Sequence, residues 1–370
     1  MRILVVNPIL YTIESRRGSW KRLPSIKDTM IYGMCEGFRS LGHEVTLAAC
    51  ADYAPEIREE YDFNVVFFKS DLPKIALPSR FPYSRAFSRW LRKKHKDFDM
   101  VVAGETFQMY TLACARICPR KTVIWQEMTS HQTILRSIPS HLWHNVIAPI
   151  AMRRIIGVIP RSQPAREFIS RYLKNCCETT VDHGIDHTKF SPSAAKKRQV
   201  ISSSQLIKRK GIDRIIRIFA ELHKMRGYED IRLIIAGAGD ERANLERLVN
   251  GLGIESYVEF TGFLPRTRLG RLIAESLAFL AYSSKDLNMV SIPESVCSGT
   301  PVLTNKVPAI APWLNESGTG IARDDWNVSD LCEIIDKADS LSARCREVRH
   351  TLTAGYAAQK IIDLAQSMKK

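Results

Sequence analysis

No run of about 18 consecutive apolar residues occurs in the 370-residue chain, so no ordinary membrane-spanning helix is expected. The apolar start, Ile3 to Val6, is stopped by Asn7 and Pro8, too early for a secretory leader and suited to a first buried strand. The nine cysteines lack metal-like spacing: Cys114 and Cys118 lie four apart on an expected helix, and Cys176 and Cys177 are adjacent. An odd count without a leader predicts reduced thiols in a cytoplasmic protein, and no metal is expected. Acidic residues are outnumbered 39 to 54 by basic ones, giving a net charge of +15. Charge alone invites a nucleic-acid partner. No recognition motif or aromatic stacking platform accompanies it, so none is expected.

At 45% hydrophobic residues, the chain is long enough for two cores. Residues 3–6, 42–49, 64–68, 100–103, 122–125 and 155–159 read as strands, with a helix near 29–41 stopped by Gly42. A polar, basic connection at 191–198 follows, and the scheme then repeats at 200–203, 232–237, 258–261, 277–282 and 302–303. Strands alternating with helices predict an α/β chain of two doubly wound, Rossmann-like domains facing each other across a cleft. The expected division is 1–190, 191–345 and a closing helical segment, 346–370, packed back toward the first domain.

The richest stretch is 277–304: a buried strand, a polar loop with Asp286, a short helix opened by Pro293, then CSGTPV and another strand. Proline suits a first helical turn, which puts Glu294 at a helix start. Such a start offers unpaired N–H groups and partial positive charge to phosphate. Carboxylates beside it suit sugar hydroxyls instead, so the pair suggests a ligand with both groups. The bland alternatives are that Glu294 complements the helix dipole and Asp286 is solvated.

Asp286, seven residues, Glu294 and the CSGTPV run resemble the donor motif of family-4 retaining glycosyltransferases (glycosyl transferases group 1). The usual form there is Glu, seven residues, Glu, a short helix and Cys-Gly-Thr-Pro-Val; Asp286 replaces the first Glu. Other segments resemble the family in order: VDHGIDHTKFSP at 181–192, SSSQLIKRKGIDRIIRIFAEL from 202, LIIAGAGDERANLERLV from 233 and EFTGFLPRTRLGRLI from 259.

The resemblance implies the two-domain GT-B architecture, with an acceptor-side N-terminal domain and a nucleotide-sugar-binding C-terminal one. It implies a metal-independent hexosyl- or related transferase moving sugar from a UDP- or GDP-sugar to a hydroxyl acceptor in glycan, polysaccharide or glycolipid synthesis. No cofactor is implied. Lys210 falls at the position of the diphosphate-neutralising Lys, and Gln205 at that of an Arg. Arg209, Lys208, Arg16 or Arg17 then compensates for the lost charge. The donor is expected among Gly18, Arg17, Gln205, Arg209, Gly237, Gly262, Phe263, Met289 and Val290. The base is expected near residues 261–264, held by backbone groups.

The N-terminal half fits least well. The usual glycine-rich first loop reads PILYTIESRRGSW, with Gly18 alone. The His common at the end of a mid-domain strand is replaced in TVIWQEMTSH. Glu127 is preferred for contacting a donor hydroxyl or the acceptor, with Gln126, Glu105 and His131 as competitors. These departures keep open a catalytically idle homologue that binds a partner.

Most of the excess positive charge falls in the first half, where the densest basic run is Ser79 to Lys96, with a helix expected from about Ser84. On a helix, Phe87, Trp90 and Leu91 form one stripe among Arg85, Arg89, Arg92, Lys93 and Lys96. That pattern suits peripheral attachment to an anionic membrane, such as the inner face of the plasma membrane. An ordinary helix packing its stripe inward fits equally. The apolar stretch 142–150 ends at Arg153 and Arg154 and cannot span a bilayer.

Overall fold

The computed structural model describes residues 1–11, 23, 25–57, 59–71, 81–132, 134–286 and 289–369. The chain divides into a first unit, Met1–Gly184 with Ala354–Lys370, and a second, Ile185–Thr353. In the first unit, β1 (Arg2–Val6), β2 (Glu44–Cys50), β3 (Asn64–Phe68), β4 (Met100–Gly104), β5 (Thr122–Gln126) and β6 (Gly157–Pro160) form one parallel sheet. Its order is β3-β2-β1-β4-β5-β6. The strands are apolar almost throughout because helices cover both faces.

The helices of this unit are α1 (Met30–Ser40), α2 (Arg85–Lys94), α3 (Met109–Ile117), α4 (Ile138–Leu142), α5 (Ala148–Ala151) and α6 (Gln163–Ile169). Thr29 caps α1 by accepting from the Tyr32 N–H. Ile31 and Phe38 of α1 are buried in the core beside Val5 and Leu47.

The second unit repeats the scheme with β7 (Lys197–Ser203), β8 (Arg232–Ala236), β9 (Val258–Gly262), β10 (Ser276–Leu280), β11 (Val302–Thr304) and β12 (Gly320–Ala322). Its order is β12-β11-β10-β7-β8-β9. The helices are α7 (Ile212–Leu222), α8 (Arg242–Gly251), α9 (Arg266–Ala274), α10 (Ser291–Cys297), α11 (Ala311–Ser317), α12 (Val328–Asp336) and α13 (Ala338–Val348). The chain then returns to the first unit as α14 (Ala354–Ser367), which packs against α1. A Cβ on Gly37 would meet the Ala354 carbonyl oxygen at 2.4 Å, so that close approach requires glycine.

In each sheet the first strand is central, the second and third lie to one side, and the fourth to sixth to the other. The connections therefore diverge between β1 and β4, and again between β7 and β10. Ligands of open α/β sheets bind beyond the carboxyl ends of the strands at such points. Among the described strands, only β12, three residues at a sheet edge, has no counterpart among the expected ones.

The chain passes between units at 184/185 and 353/354, where the sequence suggested 190/191 and 345/346. Ile185 and Phe190 are buried in a core with Ile201 and Phe279, and the Ile185 N–H donates to the Leu352 carbonyl at 2.8 Å. That packing ties residues 185–190 to the second unit. At the other limit, α13 runs through 345/346 without a break.

Helix α2 corrects the expectation of an inserting stripe. Ser84 caps it, but Phe87 and Leu91 are fully buried and Trp90 is half-buried. Phe87 stacks on Tyr110 with centroids 4.3 Å apart, and Trp90 lies 5.3 Å from Phe68. The aromatic face fills the core. Apart from Ala86, what the helix exposes is cationic: Arg85, Arg89, Arg92, Lys93 and Lys94, with Lys96 just beyond its end. Among the described residues, no helix is long and apolar enough to cross a membrane.

Candidate functional site

Two loops meet where the connections of the second unit diverge. The loop after β7 carries Gln205, exposed, and a short helical turn, Lys208–Lys210. Gly211 then starts α7 at φ 54°, where a Cβ would lie 2.6 Å from the Tyr282 ring. The loop after β10 is anchored by Asn305, whose amide accepts from the Ser283 N–H at 3.1 Å and donates to its carbonyl at 2.7 Å. Ser283 Oγ in turn accepts from the Asp286 N–H at 2.8 Å.

The Ser284 N–H donates to the Arg209 carbonyl at 3.0 Å, which fixes the loops together. Asp286 pairs with Arg209 and, at 2.6 Å, with Lys210 Nζ. Burial, then the neighbouring Arg209 charge, lowers the Lys210 pKa to about 8. The adjacent carboxylate opposes that shift.

Helix α10 begins at Ser291, so Pro293 and Glu294 lie within its first turn. Glu294 is only 1% exposed and pairs with Arg266, the first residue of α9. The Arg266 guanidinium also sits 4.9 Å from the Phe190 ring centre. Sequence reasoning placed Glu294 at an open helix start and missed Arg266. The available signal was the general need of a buried carboxylate for a cation. Met289, buried, and Val290, half-buried, directly precede the helix, and the Ile292 N–H donates to the Met289 carbonyl at 3.0 Å. Residues 287–288, between the acids, lie outside the described residues.

The rest of the motif is structural. Thr300 Oγ1 donates to the Ile273 carbonyl at 2.7 Å, and Ser295 Oγ to the Thr300 carbonyl at 2.8 Å. Lys196 Nζ caps the same turn, contacting Thr300 Oγ1 at 2.7 Å and the Gly299 carbonyl at 3.0 Å.

The glycines bring loops together. A Cβ on Gly237 would lie 1.9 Å from the Ser204 carbonyl oxygen, and one on Gly239 2.3 Å from that of Leu206. Side chains there would push the loop after β8 away from the one after β7. The Gly237 N–H donates to the Gly262 carbonyl at 2.9 Å, extending the contact to the end of β9. Phe263 follows and is 84% exposed. Arg16, Arg17 and Gly18 lie outside the described residues.

The first unit gathers a different cluster at its own strand ends. Glu105, after β4, has φ 60°, a strained conformation for a non-glycine residue. Its carboxylate accepts from the Glu127 N–H at 2.8 Å and the Met128 N–H at 3.2 Å. Desolvation, then the Glu127 charge, raises its pKa to about 7. Glu127 is exposed and pairs with Arg161 Nη1 at 2.5 Å. Arg161 is buried, lies 4.6 Å from the Trp125 ring centre, and reaches Asp182 at 3.3 Å and His183 Nδ1 at 2.7 Å. Sequence reasoning found Glu105 and Glu127 but missed Arg161 and His183.

Gln126 is fully buried, and its side-chain oxygen accepts from the Thr106 N–H at 2.9 Å. His131 instead contacts Ser140 at 3.0 Å and Tyr172 at 2.9 Å. Lys210, Arg209 and Asp286 thus form one group in the second unit, and Glu127 belongs to a separate one in the first. Among the described residues, no group of three or more His, Cys, Asp and Glu could hold a metal ion.

Residues 185–352, nearly the whole second unit, match the family model described as glycosyl transferases group 1. A phosphatidylinositol N-acetylglucosaminyltransferase component from Arabidopsis thaliana is 22% identical over 44% of this chain and 36% of its own length. The lipopolysaccharide core biosynthesis glycosyltransferase LpsE of Rhizobium meliloti is 27% identical over 52% of this chain and 55% of its own length. The chain therefore spans about half or less of the length of these curated relatives. The structure of HepE from Anabaena in complex with UDP superposes with a TM-score of 0.63 at 14% identity, covering 99% of this chain and all of that one. The shared fold is the two-unit α/β architecture called GT-B.

Proposed function

We propose that this chain, whose second unit is a glycosyl transferases group 1 domain, moves a sugar from a nucleoside-diphosphate donor to a hydroxyl acceptor with retention of configuration. The observation that carries this reading is the pairing of Asp286 with Arg209 and Lys210 across the point where β7 and β10 diverge. Cations and an acid are held together where phosphate and sugar hydroxyls of one ligand would meet them. A diphosphate arriving there exchanges with Asp286 for the two cations and frees the carboxylate for a donor hydroxyl. Glu294, aligned by Arg266, takes a second hydroxyl.

In transfer, negative charge grows on the departing phosphate, and Lys210 and Arg209 stabilise it more than the ground state. The leaving phosphate takes the acceptor's proton, so no enzymic nucleophile or metal enters this reading. In this reading the nucleotide base lies near residues 261–264, beyond β9, where Phe263 is exposed. HepE was crystallised with UDP, which supports a uridine donor without selecting the sugar. The acceptor hydroxyl belongs to a lipid-linked carrier or growing glycan reached from the cytoplasmic side. The exposed cations of α2 meet the anionic membrane surface by charge alone.

A thermal-shift screen of the intact protein with UDP-glucose, GDP-mannose and ADP-glucose tests the donor. One donor at about 100 times its Kd is expected to stabilise the protein by about 2.7 kcal/mol and release nucleoside diphosphate on incubation. Stabilisation without release assigns a binding homologue instead. No stabilisation and no release by any of the three overturns the reading.

A further inference from the structure

Helix α4, a segment with i→i+5 hydrogen bonds (Trp143–Ile147) and α5 run end to end over residues 138–151. One face is built into the first unit: Trp143, His144 and Ala148 are buried, and Trp143 Nε1 donates to the Thr106 carbonyl at 2.9 Å. The opposite face carries Ile138, Leu142, Val146 and Ile150, exposed by 65%, 56%, 47% and 66%. Four large apolar side chains at a spacing of four residues lie in water. A spacing of four overshoots an α turn of about 3.6 residues, so in a pure α-helix the stripe would wind around the rod. The wider central segment turns it back. Such segments are rare and occur often at functional sites.

The border of the stripe is basic. Arg136 precedes it, Arg153 and Arg154 follow it, and all three are exposed. No acidic residue occurs from Met128 to Arg166. Helix α3 packs against both α2 and α5, so the exposed cations of α2 belong to the same helical layer. An apolar stripe with an arginine rim matches the hydrocarbon boundary and phosphates of an anionic bilayer. A second copy fits poorly, because a two-fold contact through this face would bring both arginine rims together.

We infer that the exposed face of residues 138–151 docks on an anionic lipid surface, with Ile138, Leu142, Val146 and Ile150 entering the headgroup boundary and Arg136, Arg153 and Arg154 meeting lipid phosphates. This replaces the α2 stripe as the inserting element and leaves α2 a purely electrostatic role. It extends the membrane part of the proposed function through residues outside the donor site. Vesicle binding and sugar-nucleotide binding can therefore fail separately.

The test is co-sedimentation of the full chain with phosphatidylcholine vesicles, with and without phosphatidylglycerol, at low salt. The intact protein is expected to sediment only with phosphatidylglycerol present. Combining Leu142→Asn, Val146→Asn and Ile150→Asn is expected to cut the bound fraction at least tenfold, with the melting temperature and donor-induced stabilisation unchanged. As a second readout, the added indole of Val146→Trp is expected to shift to the blue on adding the anionic vesicles. That readout decides if the triple variant does not fold. Failure of the intact protein to sediment, sedimentation of the folded triple variant at the wild-type level, or an indole indifferent to lipid each overturns the inference. A lipid-free dimer abolished by the triple variant would also overturn it and assign the face to a second copy.

Discussion

The two units share a strand order and differ in how charge is placed at the point where their connections diverge. In the second unit, two loops supply the group: Arg209 and Lys210 after β7, and Asp286 after β10. In the first, Glu105, Glu127, Arg161 and His183 come from four separate segments and interlock around one buried guanidinium. The second arrangement presents two cations on one carboxylate, which in the proposed function a diphosphate displaces. In the first, Arg161 is already engaged by Glu127, Asp182 and His183, as suits a fixed scaffold for a neighbouring substrate.

The comparison breaks most readily at Glu294. Glu294→Gln keeps the volume and removes the charge facing Arg266, and turnover at saturating donor is expected to fall about 10²–10³-fold. The circular dichroism spectrum should remain native. A variant retaining most of its turnover would remove Glu294 from the reaction. Glu294→Ala should also lower stability, by roughly 1–3 kcal/mol, because it strands a cation that solvent still partly screens.

Lys210→Ala comes next, with an expected loss of roughly 10–100-fold that falls on kcat more than on KM, since leaving-group charge grows in the transition state. The wild-type ammonium loses its proton as pH rises through about 8, so kcat/KM, which reports the free enzyme, should decline above that pH. Lys210→Arg should move that alkaline limb upward. A limb unmoved by Lys210→Arg would assign it to another group. Asp286→Ala should reduce donor use less than either change, and Asp286→Glu should be milder than Ala. Equal donor profiles for wild type, Asp286→Ala and Asp286→Glu would exclude this carboxylate.

These residues also mark what the sequence could reveal. Asp286 and Glu294 stand at a short fixed spacing beside a strand, and the strands announce themselves as apolar runs, so their places on a loop and in a first helical turn were legible. Arg266 was not, because it pairs with Glu294 from a helix 28 residues earlier whose three arginines look alike in sequence. Arg161 and His183 were hidden for the same reason: each is a single residue brought into the Glu127 cluster by a fold that joins distant segments. The α2 stripe misled because an inward-packing amphipathic helix and a membrane-lying one share a pattern, and only Tyr110 and Phe68 beneath it decide.

The smallest expected effect tests the first unit. Glu105 holds its proton more tightly folded than unfolded, with its pKa raised from 4.5 to about 7. Its contribution to stability is therefore present at low pH and lost as pH rises through that window. Glu105→Gln should stabilise the protein relative to wild type at pH 8 but not at pH 4, by roughly 1–2 kcal/mol after allowing for partial solvent screening. Denaturant melts at the two pH values measure it. An equal difference at both would show that folding leaves the Glu105 pKa unshifted.

Hydrogen exchange on the full chain, with and without saturating UDP or GDP, tests the assignment of the donor to the second unit most directly. For the nucleotide that binds, slowed exchange is expected at 204–211, 261–264, 283–286 and 289–294. Protection confined to 104–107, 126–128 and 161–162 would place the nucleotide in the first unit and contradict the account.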